Sequence, residues 1–257
     1  MTRDVSPSDI SFEIDNNVAT VAINRPPLNI LDLAHLRALS SAVRALRDRQ
    51  DWRVLVVRGL PKAFSAGVAV EDHLPDRIET TLEAFHNAIR GVEAMDRPTI
   101  AGVRGHCLGG GMELAMACDV VIASETATFG QPEIKLAAVP PYAVARYADL
   151  VGPRRAFADL ASGRTFPAKE AMEVGYVTAC VSDGELEVEV ARMAAAFASL
   201  SSEALSTLKR AFLRKDSEES LALAERRYLR ELAQSRDAIE GLQAFMEKRQ
   251  PIWRNRT

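Results

Sequence analysis

The amino-acid sequence predicts an α/β fold, with one core domain followed by a helical C-terminal region. Short runs of β-forming residues, at 18–23, 54–57 and 99–103, are separated by stretches with helical periodicity. After about residue 185 the chain is rich in Ala and Leu and shows no strand-like alternation. No low-complexity tract or Gly/Ser linker divides the chain. We therefore expect a core over residues 1–195 and a helical region over residues 196–257.

Two stretches between the strands have the apolar spacing of amphipathic helices. In each stretch, apolar residues recur at intervals of three and four, so that they share one face of a helix. The first set is Leu36, Leu39, Val43 and Leu46, and the second is Ile78, Leu82, Phe85, Ile89 and Val92. Further along, Pro140, Pro141 and the stretch 163–167 predict turns.

Composition and charge exclude several classes of partner. The 257 residues are 47% hydrophobic and 26% charged, with a net charge of -3 and a pI near 5.9, so nothing attracts the chain generally to nucleic acid or anionic membrane. The three cysteines form no disulfide framework, which is typical of a reducing compartment. The polar start does not have the pattern of a secretory signal, and no apolar run approaches the roughly 18 residues of a membrane span. We expect a soluble, cytoplasmic protein.

A glycine triplet marks the first candidate site. Gly109, Gly110 and Gly111 follow a β-forming run and precede the helix-forming sequence MELAM. The triplet therefore predicts a helix N-terminus, where backbone N–H groups lack intrahelical partners and the helix dipole is positive. Because glycine has no Cβ, a ligand can approach this backbone closely. Such a place suits an oxyanion, although a glycine triplet taken alone is more often a turn.

A second tight turn and two glutamates extend the candidate site. The sequence KAFSAGV at 62–68 follows a strand and can supply another N–H donor; each donor aimed at a thioester oxygen stabilises an enolate by roughly 3 kcal/mol. Glu113, in the first turn after the glycines, and Glu133 are candidates for general acid/base catalysis. A pair of carboxylates can hold one water, provided that burial and mutual repulsion raise at least one pKa. The simpler alternative for Glu113 is a first-turn glutamate favoured by the helix dipole, and for Glu133 it is a solvated acid in a loop.

The order and spacing of these motifs resemble the crotonase (enoyl-CoA hydratase/isomerase) superfamily. The signature is RPTIAGVRGHCLGGGMELAMACD at 97–119, followed by FGQPE at 129–133. Three further segments also match, so that the resemblance covers nearly the whole chain: NRPPLNIL at 24–31, FSAGV at 64–68 and EGLQAFMEKR at 240–249. The resemblance implies a crotonase (ClpP-like) spiral of ββα units. It also implies C-terminal helices that mediate trimerisation, often into dimers of trimers.

For the reaction, the resemblance implies that the N–H groups of Val68 and Gly110 form an oxyanion hole and that Glu113 and Glu133 are the catalytic glutamates of a hydratase. Retention of both glutamates favours addition of water to an α,β-unsaturated acyl-CoA. No cofactor is implied, because coenzyme A is part of the substrate. The alternatives are an enoyl-CoA isomerase, another CoA-dependent lyase of the family, or a non-catalytic protein that binds CoA or RNA. The glutamate pair and the lack of a basic excess argue against a non-catalytic protein that binds CoA or RNA.

For coenzyme A, the resemblance implies that the backbone from Ala66 to Val70 meets the adenine and that Lys62 approaches the phosphates. Phe245 and Lys248 match residues that reach CoA from a neighbouring subunit in family trimers. The simpler alternative for these two is helix packing and a solvated charge. The helices expected to trimerise carry apolar residues at partly helical spacing, namely Leu229, Leu232, Leu242 and Phe245.

Two departures from the family pattern narrow the resemblance. Many members carry an aspartate soon after the first oxyanion glycine, whereas here Gly67 is followed by VAVED. The usual glycine-rich loop after the second glutamate is replaced by VPPYAV at 139–144, which predicts a stiffer acyl pocket because proline fixes φ and Tyr142 adds bulk. With the C-terminal sequence, these features are similar to cyclohexa-1,5-dienecarbonyl-CoA hydratases.

The histidines carry no recognisable motif. His73, His86 and His106 are not spaced as a catalytic base or as a set of metal ligands. We expect core or surface roles for them and no metal site.

Overall fold

The computed structural model describes residues 9–213, 222, 225, 226 and 228–252, and its strands and helices alternate along the chain. The first half contains β1 (Ile10–Asp15), β2 (Val18–Ile23), α1 (Leu33–Arg47), β3 (Val54–Gly59), a 3₁₀ turn (Val70–His73), α2 (Ile78–Glu93), β4 (Thr99–Val103), β5 (His106–Leu108), α3 (Gly110–Met116), β6 (Val120–Ser124), β7 (Thr128–Gly130) and a second 3₁₀ turn (Pro132–Leu136). The second half contains α4 (Pro141–Val151), α5 (Pro153–Ser162), β8 (Thr165–Pro167), α6 (Ala168–Glu173), β9 (Ala179–Val181), a third 3₁₀ turn (Asp183–Glu185), α7 (Leu186–Ala198), α8 (Ser202–Leu213), a π-helical turn (Tyr228–Leu232) and α9 (Arg236–Met246).

The chain winds between two sheets. The larger has the strand order β1-β2-β3-β4-β6-β9, parallel except for the β1–β2 pair, and the smaller has the order β5-β7-β8. Strands β4 and β6 lie in the large sheet, and the strand after each, β5 or β7, lies in the small one. An isolated bridge between Ser65 and Cys107 places the chain after β3 beside β5. These repeated steps from one sheet to the other confirm the spiral.

The large sheet is buried on both faces, which explains the continuous apolar sequence of β3. Leu55 and Val57 point into the main core with α1 and α2, whereas Val54 and Val56 pack against Leu186, Val190 and Ala194 of α7 on the other face. Helix α7 runs from Leu186 to Ala198 and so spans residue 195, where the sequence divided the chain. That division stays a prediction.

The two amphipathic helices are confirmed as α1 and α2, and their predicted apolar residues are buried. The carboxylate of Asp32 begins α1 by accepting hydrogen bonds from the N–H groups of Ala34 (3.0 Å) and His35 (3.2 Å). In the described part of the chain, no helix combines the length and apolarity needed to cross a membrane.

Two predicted turns are wrong in part. Gly163 does end α5 with a left-handed conformation, but Thr165–Pro167 form β8, because Phe166 pairs with Phe129 of β7. Pro141 does not make a loop; it is the first residue of α4, a position where the missing proline N–H costs nothing.

Candidate active site

Two glycine turns bring a pair of backbone N–H groups together. Gly67 (φ 99°) and Gly109 (φ 52°) have backbone conformations that favour glycine, and a Cβ on Gly67 would lie 3.2 Å from the nitrogen of Gly110. Beside Val68, the N–H of Leu31 donates to the oxygen of Gly67 (2.9 Å) and the N–H of Ala69 to that of Leu31 (2.9 Å). The N–H of Val68 therefore points away from Leu31.

Both N–H groups are available to a ligand. Gly110 is the first residue of α3, so its N–H lacks a partner within the helix, as the glycine triplet predicts. Among the described residues, no hydrogen bond occupies the N–H of Val68 or of Gly110. The two turns can thus direct two donors to one oxygen.

A buried asparagine fixes the first of these turns. The side-chain amide of Asn29 donates to the carbonyl oxygens of Ala63 (2.7 Å) and Leu60 (3.0 Å). The backbone carbonyl of Asn29 accepts a hydrogen bond from the hydroxyl of Ser65 (2.7 Å). That hydroxyl in turn accepts a hydrogen bond from the N–H of Gly67 (3.1 Å). Asn29 and Ser65 lie within the family-like segments 24–31 and 64–68, but the sequence gives no sign of their role, since they contact each other across more than thirty residues of the chain.

Glu113 lies in the first turn of α3 and is 3% exposed. Its Oε1 accepts a hydrogen bond from the N–H of Ala143 (2.8 Å) in the first turn of α4, so the carboxylate caps a helix from another part of the chain. Burial raises the pKa of Glu113, while the charge of His86 and the backbone N–H groups of Ala143 and Tyr142 act in the opposite direction.

Glu133 lies on the second 3₁₀ turn and faces the glycine turn of Gly109. A Cβ on Gly109 would lie 2.6 Å from its Oε1. Burial and then the negative charge of Glu113 raise the pKa of Glu133 to about 8. The structure therefore brings the two glutamates and the two N–H donors to one place.

Gln131 is a site residue that the sequence analysis missed. Its side chain is buried, and with its amide oriented so that both polar atoms find partners, the nitrogen donates to both carboxylate oxygens of Glu133 (3.3 and 3.2 Å). Gln131 thus holds the carboxyl group in position. Its place in FGQPE, two residues before the glutamate, was the available signal.

An apolar surface lies beside the glutamates. It consists of Ile78, Leu82, Ala138, Val139, Tyr228, Leu229 and Ala233, and we call it the apolar wall. Burial, followed by the charges of Glu133 and Glu113, raises the pKa of the Tyr228 hydroxyl, which places this tyrosine near both carboxyl groups.

The predicted contribution of Tyr142 to the acyl pocket is wrong. Its ring is buried in the main core, and its hydroxyl donates to Oε1 of Glu93 (3.1 Å). The hydroxyl finds its buried partner there, on α2, rather than in the site. The stiffness expected of VPPYAV comes instead from Pro140 and Pro141, which begin α4.

Asp72 is the first aspartate after Gly67. Its Oδ2 accepts a hydrogen bond from the N–H of Leu33 at the start of α1 (3.0 Å). This bond ties the chain after the Gly67 turn to α1.

A cleft of about 460 Å³ lies beside the residues that follow the Gly67 turn. It is lined by Arg25, Pro26, Pro27, Leu28, Ile30, Asp32, Ala69, Glu71, Asp72 and Arg77. The N–H of Ala66 donates to the oxygen of Leu28 at its edge (2.8 Å), and Lys62 is exposed in the preceding turn. Of the segment from Ala66 to Val70, Ala69 lines this cleft. The binding of CoA by this segment and by Lys62 stays a prediction.

The last helix packs against the turn that carries Glu133. A Cβ on Gly241 of α9 would lie 2.4 Å from the carbonyl oxygen of Leu136, so this close approach requires glycine. Phe245, 56% exposed, and Lys248 lie at the C-terminal end of α9. Their contact with CoA of a neighbouring subunit stays a prediction.

The three histidines considered in the sequence, of the four in the chain, occupy separate places. His73 contacts the oxygen of Ala69 through Nδ1 (2.9 Å), His106 contacts the hydroxyl of Thr128 (3.0 Å), and His86 is buried. In the described residues, no group of three or more His, Cys, Asp or Glu side chains is placed to hold a metal ion.

Paired carboxyl groups beside two free N–H donors are typical of enzymes that carry out acid/base chemistry on a carbonyl compound. The chain belongs to the enoyl-CoA hydratase/isomerase family, whose sequence profile matches residues 13–256. It is an enoyl-CoA hydratase, a hydro-lyase, as its relatives over nearly the whole chain are.

Two relatives and one solved structure illustrate the similarity. "Probable enoyl-CoA hydratase echA8" of Mycobacterium bovis is 36% identical over 253 residues, which cover 96% of this chain and 98% of the relative. Cyclohexa-1,5-dienecarbonyl-CoA hydratase of Thauera aromatica is 33% identical over 266 aligned positions, covering 100% of both chains. The crystal structure of an enoyl-CoA hydratase/isomerase from Xanthobacter autotrophicus Py2 superimposes with a TM-score of 0.86 at 30% identity, covering 93% of each chain.

Proposed function

We propose that this hydratase works through the N–H groups of Val68 and Gly110 and the carboxyl groups of Glu113 and Glu133. The observation that carries the proposal is the convergence of these four groups. Gly67 lies against Gly110, Gly109 lies against Glu133, and the pKa of Glu133 is raised in part by the charge of Glu113. A carboxyl group that stays protonated near neutral pH can give a proton, while its ionised neighbour can accept one.

In the proposed reaction, the carboxylate of Glu113 takes a proton from water as the water oxygen bonds to the β carbon. The electrons of the double bond move towards the thioester, whose oxygen receives hydrogen bonds from Val68 and Gly110. The α carbon then takes a proton from the carboxylic acid of Glu133, which completes the 3-hydroxyacyl thioester. Proton exchange between the two glutamates restores the starting state.

We further propose that the acyl group is an alicyclic dienoyl group, in particular cyclohexa-1,5-diene-1-carbonyl. Two observations support it: the full-length similarity to the Thauera aromatica hydratase, and the buried prolines Pro140 and Pro141 that begin α4 next to the apolar wall. A rigid proline turn suits a rigid ring better than a flexible chain.

The test compares kcat/KM for cyclohexa-1,5-diene-1-carbonyl-CoA and crotonyl-CoA. Shape discrimination in an apolar pocket is worth about 1–3 kcal/mol, so the dienoyl thioester should be favoured about 10-fold or more. Cyclohex-1-ene-1-carbonyl-CoA is the control that separates ring shape from conjugation. Mass analysis distinguishes hydration, which adds one water to the product, from isomerisation, which leaves the mass unchanged. A higher kcat/KM for crotonyl-CoA would contradict the alicyclic assignment.

The remaining proposals concern the surroundings of the site. We propose that the segment 66–70 and Lys62 bind CoA with Phe245 and Lys248 of a second subunit, in a homotrimer or a dimer of trimers. The proposed reaction consists of the attack of water on the β carbon and of proton transfers through the two glutamates, and these steps require no cofactor. The three cysteines are free thiols, which supports work in the reducing cytoplasm.

A further inference from the structure

A second ionisable pair lies within the fold, apart from Glu113 and Glu133. His86 on α2 is 0% exposed, and its Nδ1 contacts the carboxylate of Glu225. The guanidinium of Arg90 donates to the other oxygen of that carboxylate (2.8 Å). Among the described residues, Nε2 of His86 has no hydrogen-bond partner.

The contact with Glu225 decides what Nε2 can do. A carboxylate accepts a hydrogen bond, so Nδ1 carries the proton, and in the neutral ring Nε2 presents a lone pair. In the imidazolium, Nε2 presents an N–H. A hydroxyl group is matched to both states, because it donates to the first and accepts from the second. Since buried polar atoms are normally paired, an unpaired ring nitrogen points to a ligand.

The position of His86 on α2 connects it with the acyl site. Ile78, Leu82, His86 and Arg90 recur every four residues and so form one stripe of the helix. Ile78 and Leu82 pack with Tyr228 in the apolar wall, and His86 and Arg90 contact Glu225, three residues before that tyrosine. The stripe therefore contacts Glu225 and Tyr228 along its length. Its first two residues make apolar contacts with Tyr228, and its last two make polar contacts with Glu225.

Two further observations place His86 close to the reacting groups. The ring of its neighbour Phe85 reaches the start of α3, where Cζ lies 3.0 Å from the position of a Cβ on Gly110. The charge of His86 also acts on the pKa of Glu113.

We propose that Nε2 of His86 can bind a hydroxyl group on the acyl ring, beyond the β carbon, so that among alicyclic acyl-CoA thioesters the enzyme binds those with a ring hydroxyl more tightly than unsubstituted ones. This inference rests on the proposed function, because it requires the acyl group to lie against the apolar wall, beside the two glutamates. His86 then determines specificity, and Glu225 with Arg90 fixes the orientation of its ring.

The experiment measures Kd for saturated thioesters that cannot be hydrated: cyclohexanecarbonyl-CoA and its 3-hydroxy and 4-hydroxy derivatives. The 2-hydroxy derivative is left out, because its hydroxyl occupies the β position near the glutamates. For the wild type, one of the two hydroxylated thioesters should bind about 10-fold more tightly than the unsubstituted one, as expected for one hydrogen bond to a buried group. In His86→Phe the ratio should fall to about one, and in His86→Gln, which keeps a polar group, part of the preference should return.

The matched control is Thr81→Val. Thr81 is also buried on α2 with an unpartnered hydroxyl, but it lies off the stripe, so its removal should leave the ratio unchanged. Equal binding of all three thioesters by the wild type would overturn the inference, even if no His86 variant folds. An unchanged preference in His86→Phe would overturn it as well. Because these thioesters do not turn over, a wild type that hydrates its substrate but binds all three thioesters equally refutes only the role of His86. A retained preference without hydration refutes the proposed reaction instead.

Discussion

Replacing Gly109 with alanine should damage catalysis far more than stability. The residue has φ 52° and ψ -129°, a conformation that costs residues with a side chain about 1–3 kcal/mol. The new Cβ would lie 2.6 Å from Oε1 of Glu133, whereas real Cβ contacts are almost never below 3.0 Å, so the carboxyl group must move by about 0.4 Å or more.

The two effects differ in size because they act on different atoms. The end of the Glu133 side chain can yield, so the free energy of unfolding should fall only by the backbone strain, about 1–3 kcal/mol, out of a typical 5–15 kcal/mol. Proton delivery depends on position, and a displacement near 1 Å can cost about 100-fold, so kcat should fall about 10- to 100-fold. Steady-state hydration of crotonyl-CoA and urea unfolding measure the two quantities.

Gly152→Ala is the matched control. Gly152 also has a positive φ, 83°, but a Cβ there meets nothing within 4 Å, so it carries the backbone strain without a neighbour to displace. If Gly109→Ala loses no more kcat than Gly152→Ala, Glu133 does not act at this turn. Binding of butyryl-CoA should stay within about twofold of the wild type, because the oxyanion donors remain. Weaker binding in step with kcat would mean that Gly110 had moved.

Three other predictions concern the two glutamates and the oligomeric state. Glu113→Gln and Glu133→Gln should each lower kcat about 100-fold or more and leave butyryl-CoA binding largely intact, since an amide fills the same space without exchanging the proton; near wild-type turnover in either would contradict the assignment. Glu133, with its pKa raised to about 8, is protonated below that pH, so hydration should slow as the pH rises through about 8. A kcat that stays constant from pH 7 to 10 would rule out Glu133 as the acid. Light scattering at micromolar concentration should give a trimer or hexamer, and a monomeric mass would sink the proposed assembly.

The apolar C-terminal residues on which that assembly was predicted have different surroundings in the structure. Phe245 is exposed and Leu242 is buried on α9, whereas Leu229 packs in the apolar wall. The side chain of Leu232 lies outside the described residues. Phe245 is thus the residue of this set that a single chain leaves for a partner.

Much of the fold was predictable because its signals are local. Apolar spacing located α1 and α2, and β-forming runs located β2, β3 and β4, since burial of one face imposes a period on the residues that form it. The other six strands that the described residues form were not predicted. Four of them, β5, β7, β8 and β9, have only three residues each, too few to show a period, and their pairing joins distant segments.

At the site, the sequence by itself determined where the chemical groups stand along the chain: a glycine triplet opening a helix, and glutamates at 113 and 133. The tertiary structure decided what each group does. It placed the N–H of Ala143 on Glu113, thirty residues away, and turned Tyr142 into the core towards Glu93. It also paired His86 with Glu225 across 139 residues. Hydrogen bonds and pKa values depend on which groups meet in space and how deeply they are buried, and a local pattern carries no record of a distant partner.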